Sequence, residues 1–566
     1  MHFPRLFLLA GLWAPAALAA AVPTQPQDPP PAAARPAGAV RKHVLYFQDK
    51  ASSPYSLTQP QAYLSARALQ RRQRQNIAVE PRDLPVNPAY VAQVKAVPGA
   101  ELWYTSRWFN AAVVACDSAT LAKLQALPCV RNARTLNRGL PGTRKREGGD
   151  QQPDLRRGTR PQYGSAFAQA QMVGAVQMHD AGFRGEGMHI AVFDGGFPGV
   201  NQAAPFAHLF QEQRLASTFN FVEKQVNVYG RDIHGTSCLS TMAASQPGLY
   251  VGTAPKATYH LFVTEDVGSE HPVEEMNWLL AAERADSAGV DIISSSLGYS
   301  TFDYPSIDYT YNDLNGRTAI STRAATIAAR VGMLVVSSAG NEGNNRWRYI
   351  TPPADADSIL TVGAVDSLQN FATFSSRGPT ADGRIKPNLA AMGLQTAILT
   401  PAGVAVRGTG TSFACPVLAG MAAGFWQANP RLTVQQVISL LHRSGTRATA
   451  PNDEVGYGVP NFVRAYNLAN PGTPLSAAGP AGRSELFIYP NPSKDNELYL
   501  QLSAAFRARP LVVRIYDARG GLVAEQQLPA TTSAEVQLQP GNLHKGVYTC
   551  TVSAGREQRT VRFVKL

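Results

Sequence analysis

Four residues of this 566-residue chain carry groups that together could break an acyl bond. Ser412 lies in Gly408-Thr409-Gly410-Thr411-Ser412-Phe413-Ala414-Cys415-Pro416, where a crowded loop enters an apolar helix through Val417, Leu418 and Met421. His234, in Asp232-Ile233-His234-Gly235-Thr236, opens a helix through Leu239, Met242 and Ala243. Asp194 closes the apolar run His189–Asp194, and Asn341 follows the run Met333–Ala339 in Ser338-Ala339-Gly340-Asn341-Glu342-Gly343. Each alone has a plain structural reading as a cap, a turn residue or a core histidine. Together they match acyl transfer. A serine hydroxyl needs a base, an imidazole can be that base, and an Asp on the other ring nitrogen fixes its tautomer. Charge developing on a tetrahedral intermediate needs fixed donors, which the Ser412 N–H at a helix start and the Asn341 amide can supply.

Such groups must converge, so the elements that carry them decide the case. Between about 163 and 470 apolar runs alternate with helical patterns. Strands are expected at His189–Asp194, Tyr259–Glu265, Asp291–Ser296, Met333–Ala339 and Ile359–Val365, and helices at Val273–Ala288 and Ala319–Val331. The runs are continuous rather than alternating, which predicts a parallel α/β sheet with helices on both faces. Functional groups then collect beyond the carboxyl ends of the strands, where all four residues lie.

In front of this region, His43–Gln48, Gln59–Arg74, Glu101–Thr105, Trp108–Cys116, Ala119–Ala126 and Val130–Leu136 read strand, helix, strand, strand, helix, strand, a ferredoxin-like α+β order with an extra helical stretch at Pro88–Val97. Tyr63, Leu64, Ala68 and Leu69 form the predicted buried face of the first helix. Arg138–Arg160 has no apolar period and holds Arg144-Lys145-Arg146 and Arg156-Arg157, a basic linker open to cleavage. After a Pro/Gly/Ala linker, seven short strand-like runs close the chain, among them Leu511–Tyr516, Leu522–Gln527, Val547–Ser553 and Thr560–Lys565. They predict a small β-sandwich.

Asp194, His234 and Ser412, in that order, with His234-Gly235-Thr236, Ser337–Asn341, Ser375–Pro379, Lys386–Ala391 and Gly410-Thr411-Ser412, resemble the subtilisin-like serine proteases, over roughly residues 163–470. The resemblance implies Ser412 as nucleophile, His234 as base, Asp194 as its orienting acid and Asn341 as oxyanion donor. It also implies that Ser296-Leu297-Gly298 pairs with an extended substrate backbone and that Ala339-Gly340 walls the first specificity pocket, with protein or peptide substrates and broad selectivity. Asp194-Gly195-Gly196-Phe197 departs from the family's Asp-Thr/Ser-Gly and removes a hydroxyl beside the Asp, for which backbone donors can substitute. Asn388 and Met392 replace a common Asp and Pro. The insertion Thr301–Asn315 is read as a solvated loop rather than a pocket wall. No cofactor is required and no metal site is assigned. Calcium stabilises many relatives, but no oxygen ligand set of the needed size is visible.

Residues 41–137 resemble the inhibitory propeptide of the same family, through Asp83–Val86 and Ser106–Asn110. Residues 485–566 resemble a type IX secretion sorting domain (type A), through Tyr489–Pro492, Ile515-Tyr516-Asp517, Gly546-Val547-Tyr548 and Phe563-Val564-Lys565. A carbohydrate-binding module is the alternative for this tail. The partners implied are the chain's own propeptide as intramolecular inhibitor and the type IX machinery.

The remaining features agree. Met1–Arg5, an apolar run from Leu6 and Ala17-Leu18-Ala19 form a secretory signal peptide, and no later segment is apolar enough to span a bilayer. The expected order is signal 1–19, Pro/Ala-rich leader 20–40, propeptide 41–137, processing linker 138–162, catalytic domain 163–470, linker 471–484 and sorting domain 485–566. That places the product outside a Gram-negative cell or on its surface, exported through the periplasm. Net charge is +12, but the basic residues are scattered or sit in linkers, without a nucleic-acid-binding motif. Five cysteines make no disulfide framework, and Cys238 and Cys415 are read as buried thiols behind the catalytic groups. The alternative function is surface adhesion on a catalytically dead scaffold, which intact Asp194, His234, Asn341 and Ser412 disfavour.

Overall fold

The structure is a computed structural model that describes residues 39–137, 152–153, 162–475, 486–489, 493, 498–502, 506–533, 535–555 and 557–566. The signal peptide, nearly all of the leader, most of both linkers and Pro490–Pro492 lie outside the described residues.

The N-terminal layer has four strands, β1 (Arg41–Phe47), β2 (Glu101–Ser106), β3 (Ala111–Cys116) and β4 (Val130–Thr135). They pair antiparallel in the order β2-β3-β1-β4, the ferredoxin-like arrangement. Helices α1 (Ala66–Arg74), α2 (Pro88–Lys95) and α3 (Ser118–Gln125) complete it. The helix expected over Gln59–Arg74 is broken. Ser65 is extended and its hydroxyl accepts the Ala68 N–H at 3.2 Å, so an N-cap separates a 3-10 turn at Pro60–Ala62 from α1. Leu64 and Ala68 are buried as expected, and so are Arg71 and Arg72, which lie three and four residues after Ala68 on the same helix face.

The central sheet has seven parallel strands: β5 (His189–Asp194), β6 (Leu215–Asn220), β7 (Thr258–Val263), β8 (Ile292–Ser295), β9 (Leu334–Ser338), β10 (Leu360–Val365) and β11 (Leu389–Met392). Their order is β11-β10-β9-β8-β5-β7-β6. On one face lie α4 (His234–Ala243) and α7 (Thr411–Ala428), in a core that includes Ile190, Val192, Leu239, Met242, Val336 and Leu418. On the other lie α5 (Val273–Ala288) and α6 (Ile320–Arg330).

The N-terminal sheet docks on α5 and α6. Val44, Trp108, Phe109, Ala111 and Val113 share one apolar cluster with Val273, Met276, Leu280, Ile320 and Ala324. This covering explains why α5 is buried nearly all round. Around the cluster runs a buried ionic seam. Arg71, Arg72 and Arg107 all reach Asp286, and Arg72 also pairs with Asp83 at 3.0 Å. Glu283 accepts the Ser106 O–H at 2.5 Å, the Arg107 N–H at 2.9 Å and the Trp108 N–H at 3.2 Å.

The C-terminal region forms two antiparallel sheets. One holds Phe487–Tyr489, Leu498–Gln501 and Glu535–Leu538, and the other Leu511–Tyr516, Leu522–Leu528, Gly546–Ala554 and Glu557–Lys565. Leu500, Phe506, Val513, Ile515, Cys550 and Phe563 fill the space between them.

Candidate active site

Asp194 ends β5 with its carboxylate fully buried. Both oxygens face the His234 ring, with Nδ1 at 2.8 Å from Oδ1 and 3.0 Å from Oδ2. An ionised carboxylate only accepts, so the Nδ1 proton points at Asp194 and Nε2 is left to act as a base. Gly195 lacks a side-chain hydroxyl but keeps a backbone donor, its N–H donating to Asp194 Oδ1 at 2.8 Å. A Cβ there would lie 2.9 Å from Val267 Cγ1, so the turn has little space for a side chain. Gly235 shows the same crowding, since a Cβ would sit 2.3 Å from Gly196 O and 2.9 Å from Asp194 Cβ. That glycine lets α4 bring His234 against the end of β5.

Burial disfavours a charged His234 ring, but Asp194, with the Cys238 sulfur beside it, outweighs that and holds the ring pKa well above the ordinary histidine value. Cys238 is one turn along α4. Its Sγ is 3.7 and 3.9 Å from the two ring nitrogens and donates weakly to Ser412 O at 3.3 Å. Burial raises the pKa of this thiol. Cys415 points deeper, toward Ser295 O and Val336 O at 3.6 and 3.4 Å. All five cysteines are buried and free.

Ser412 is the second residue of α7. Pro416, four residues on, has no N–H, so the Ser412 carbonyl loses its helical partner. It is satisfied from the side instead, by the Ser296 O–H at 2.8 Å and the Cys238 S–H. Pro416 thus ties the Ser412 backbone to β8's continuation and to α4 at once. Among the described residues Ser412 Oγ makes one hydrogen bond, to Ser296 O at 3.4 Å. Nucleophile and base are commonly looser without substrate.

Asn341 follows β9 through Gly340, whose φ of +105° suits glycine. Its Oδ1 accepts from the Thr411 N–H at 2.9 Å and the Thr411 O–H at 3.0 Å, which leaves the amide N–H groups as donors. The Thr411 hydroxyl also lies 3.2 Å from both the N and the O of Gly340. Thr411 therefore clamps the Asn341 turn to the start of α7, a role sequence reading missed although it quoted the residue.

Ser296, Leu297, Gly298, Gly340, Asn341 and Ser412 line one cleft of about 530 Å³. Ala339 does not line it. It is fully buried, with its backbone bound to Val362 O and the Thr351 N–H, and Ser338 and Thr351 face the cleft instead. The insertion Thr301–Asn315 is more than a solvated loop. Thr301 lines the cleft, Asp303 accepts the Glu270 N–H at 2.9 Å, and the Tyr309 O–H donates to buried Glu275 at 2.8 Å. Sequence reading also missed three carboxylates that line the cleft, Glu265, Glu270 and Glu274. Their signal was present, because Glu265 stands just past the end of β7, where strand-end function is expected.

Among the described residues, one group of three could share a cation, Asp194, His234 and Cys238, with donor atoms within 4.8 Å of one another. One nitrogen and one sulfur among three donors do not suit calcium, which takes six to eight oxygens.

Three family descriptions match this chain: "Peptidase S8 propeptide domain, Bacteroidota" over residues 42–151, "Subtilase family" over 185–458 and "Secretion system C-terminal sorting domain" over 487–566. Subtilisin of Bacillus pumilus is 30% identical over 277 residues, 48% of this chain and 88% of that protein. Serine protease AprX of Bacillus subtilis (strain 168) is 30% identical over 312 residues, 50% of this chain and 66% of that one. Human membrane-bound transcription factor site-1 protease is 27% identical over 329 residues, 55% of this chain and 28% of its own length. The chain spans just under two thirds of AprX and 64% of subtilisin E of Bacillus subtilis (strain 168). The sorting-domain match marks a product destined for secretion or the cell surface, and no helix among the described residues is long and apolar enough to cross a membrane.

Proposed function

The chain belongs to the subtilase family, and from that premise we propose that it is a serine endopeptidase made as a zymogen and cutting peptide bonds through an acyl-enzyme on Ser412. The observation that carries this reading is the bidentate approach of both Asp194 oxygens to His234 Nδ1, at 2.8 and 3.0 Å, on the α4 turn facing the start of α7. Rotation about χ1 of Ser412 turns Oγ from Ser296 O toward Nε2. Nε2 takes the hydroxyl proton as Oγ bonds to the scissile carbonyl carbon, and Asp194 stabilises the imidazolium. The carbonyl oxygen, now negative, is held by the Ser412 N–H and an Asn341 amide N–H. His234 then gives its proton to the leaving amine as the peptide C–N bond breaks. Water, deprotonated by the same nitrogen, releases the acyl group.

Ser296, Leu297, Gly298 and Gly340 bind the substrate main chain and the first side chain before the cut, a reading supported by their place along the cleft. Residues 41–137 act as intramolecular inhibitor until the 138–162 linker is cut and the released domain dissociates or is degraded. The 485–566 domain addresses the chain to the type IX machinery of a Gram-negative cell, after export through the periplasm.

The test is covalent labelling with a fluorophosphonate probe. Wild-type processed enzyme labels at Ser412, and Ser412→Ala neither labels nor processes itself. A wild-type protein that folds, is secreted and takes no label would be the dead-scaffold alternative.

A further inference from the structure

The cleft beside Ser412 is acidic. Glu265, Glu270, Glu274 and Glu342 line it, and no Lys or Arg does so among the described residues. Two of these carboxylates are built in. Glu265 is 1% exposed, with Oε1 accepting the Tyr299 O–H at 2.6 Å and the Thr264 O–H at 3.0 Å. Glu274 is equally buried and accepts the Asp266 N–H at 2.8 Å and the His271 N–H at 3.1 Å. Hydroxyl and backbone donors hold these two carboxylates in fixed orientations in the cleft wall.

A second observation points to an incoming donor. Thr351 Oγ1 is buried, faces the same cleft and has no hydrogen-bond partner among the described residues, in a side chain 4% exposed. It lies against two glycine walls, since a Cβ on Gly298 would meet it at 2.0 Å and one on Gly340 at 2.9 Å. A buried hydroxyl without a partner costs free energy that a ligand N–H would recover.

The chain supplies a matching peptide. Gln152 and Pro153 pair antiparallel with Arg407 and Val406, in the strand Ala405–Gly408 that ends just before the Ser412 loop. Arg144-Lys145-Arg146 ends six residues before Gln152, a reach of at most about 20 Å along the chain.

Resting on the endopeptidase reading above, we propose that this cleft selects peptides with a lysine or arginine side chain among the few residues preceding the scissile bond. Glu265, Glu270 and Glu274 supply the negative field, Thr351 accepts a hydrogen bond from the basic side chain, and the enzyme's own basic linker is its first substrate. Selectivity is therefore narrower than main-chain pairing alone gives.

The experiment uses processed, secreted enzyme and quenched peptides carrying arginine, lysine, norleucine or glutamate at each of the four positions before the cut. Fluorophosphonate titration sets the concentration of active molecules. At one position or more, kcat/KM for arginine should exceed that for norleucine by about tenfold or more, with glutamate the poorest. The ratio should fall several-fold in Glu270→Gln and Glu265→Gln, and also as salt rises from about 50 to 500 mM. Glu270 is half-buried, so its variant serves if the buried Glu265 change prevents folding. Enzyme that labels yet cleaves norleucine and arginine peptides equally overturns this inference alone. An arginine preference untouched by both substitutions does so too, as does tight calcium binding lost in Glu265→Gln without any arginine preference. Enzyme that folds but fails to label overturns the reading beneath it.

Discussion

At the scale of single residues, two consequences can be measured. The first is Asn341, whose Oδ1 is already committed to the N–H and O–H of Thr411, so that only its amide N–H groups can face a substrate oxygen. A donor that acts on the oxyanion more than on the ground-state carbonyl affects kcat rather than KM. For subtilisin itself, loss of the equivalent donor costs about 10²–10³ in kcat, and that figure is carried over here as the expected size. Asn341→Ala at wild-type kcat would remove the residue from the oxyanion site. The second is the pH dependence of His234. Asp194 lifts its pKa against the opposing effect of burial, and only the neutral ring can act as base. Activity should therefore fall as pH drops through this raised pKa, placing the acid limb of kcat/KM above the ordinary histidine value of about 6.5. Asp194→Asn should shift the limb downward as well as lowering the rate. A wild-type limb well below pH 6 would contradict the coupling.

Between elements, the contact that matters most outside the cleft joins α1 and the β2–β3 turn to α5. Asp286 is fully buried and meets three guanidinium groups, of which Arg71 has no exposed surface. Removing the shared carboxylate leaves buried cations short of a counter-charge, the costly way to break such a pair. Asp286→Ala should weaken docking of the N-terminal domain by about 3–5 kcal/mol, read as an earlier unfolding transition of the Ser412→Ala zymogen in denaturant. An unchanged transition would show that the apolar cluster alone holds the domain. The seam also marks where sequence reading ran out. Continuous apolar runs made the parallel sheet legible, and strand ends located Asp194 and Asn341, because both follow from local pattern. The burial of Arg71 and Arg72 went unread because their partner Asp286 lies more than two hundred residues away. Leu215–Asn220 went unread because it is a short, half-exposed edge strand with little apolar signal. Ala339 was placed one residue too far into the cleft because the turn at Gly340 cannot be seen from composition.

For the whole molecule, order of assembly and order of release are set by where the compact body begins. Tyr163 is buried, its hydroxyl 2.8 Å from His179 Nδ1, and Gly164 bridges to Tyr250. Cutting before Tyr163 therefore leaves this core side chain in the 163–470 body, whereas cutting after it would remove it. The segment from Arg138 to Gln162 carries the basic residues an acidic cleft would take, so processing should end between those points, with a mature N-terminus near Tyr163. One cut does not by itself free the enzyme. The apolar cluster and the Asp286 seam hold the N-terminal domain on α5 and α6 without any covalent link. Native electrophoresis of freshly cut protein should thus show a complex that denaturing gels resolve into two pieces, with full activity only after the smaller piece dissociates or is degraded. N-terminal sequencing and intact mass of the secreted protein check the boundary. Secreted, fully active protein that still carries residues 41–137 in the same polypeptide under denaturing conditions would overturn the zymogen scheme.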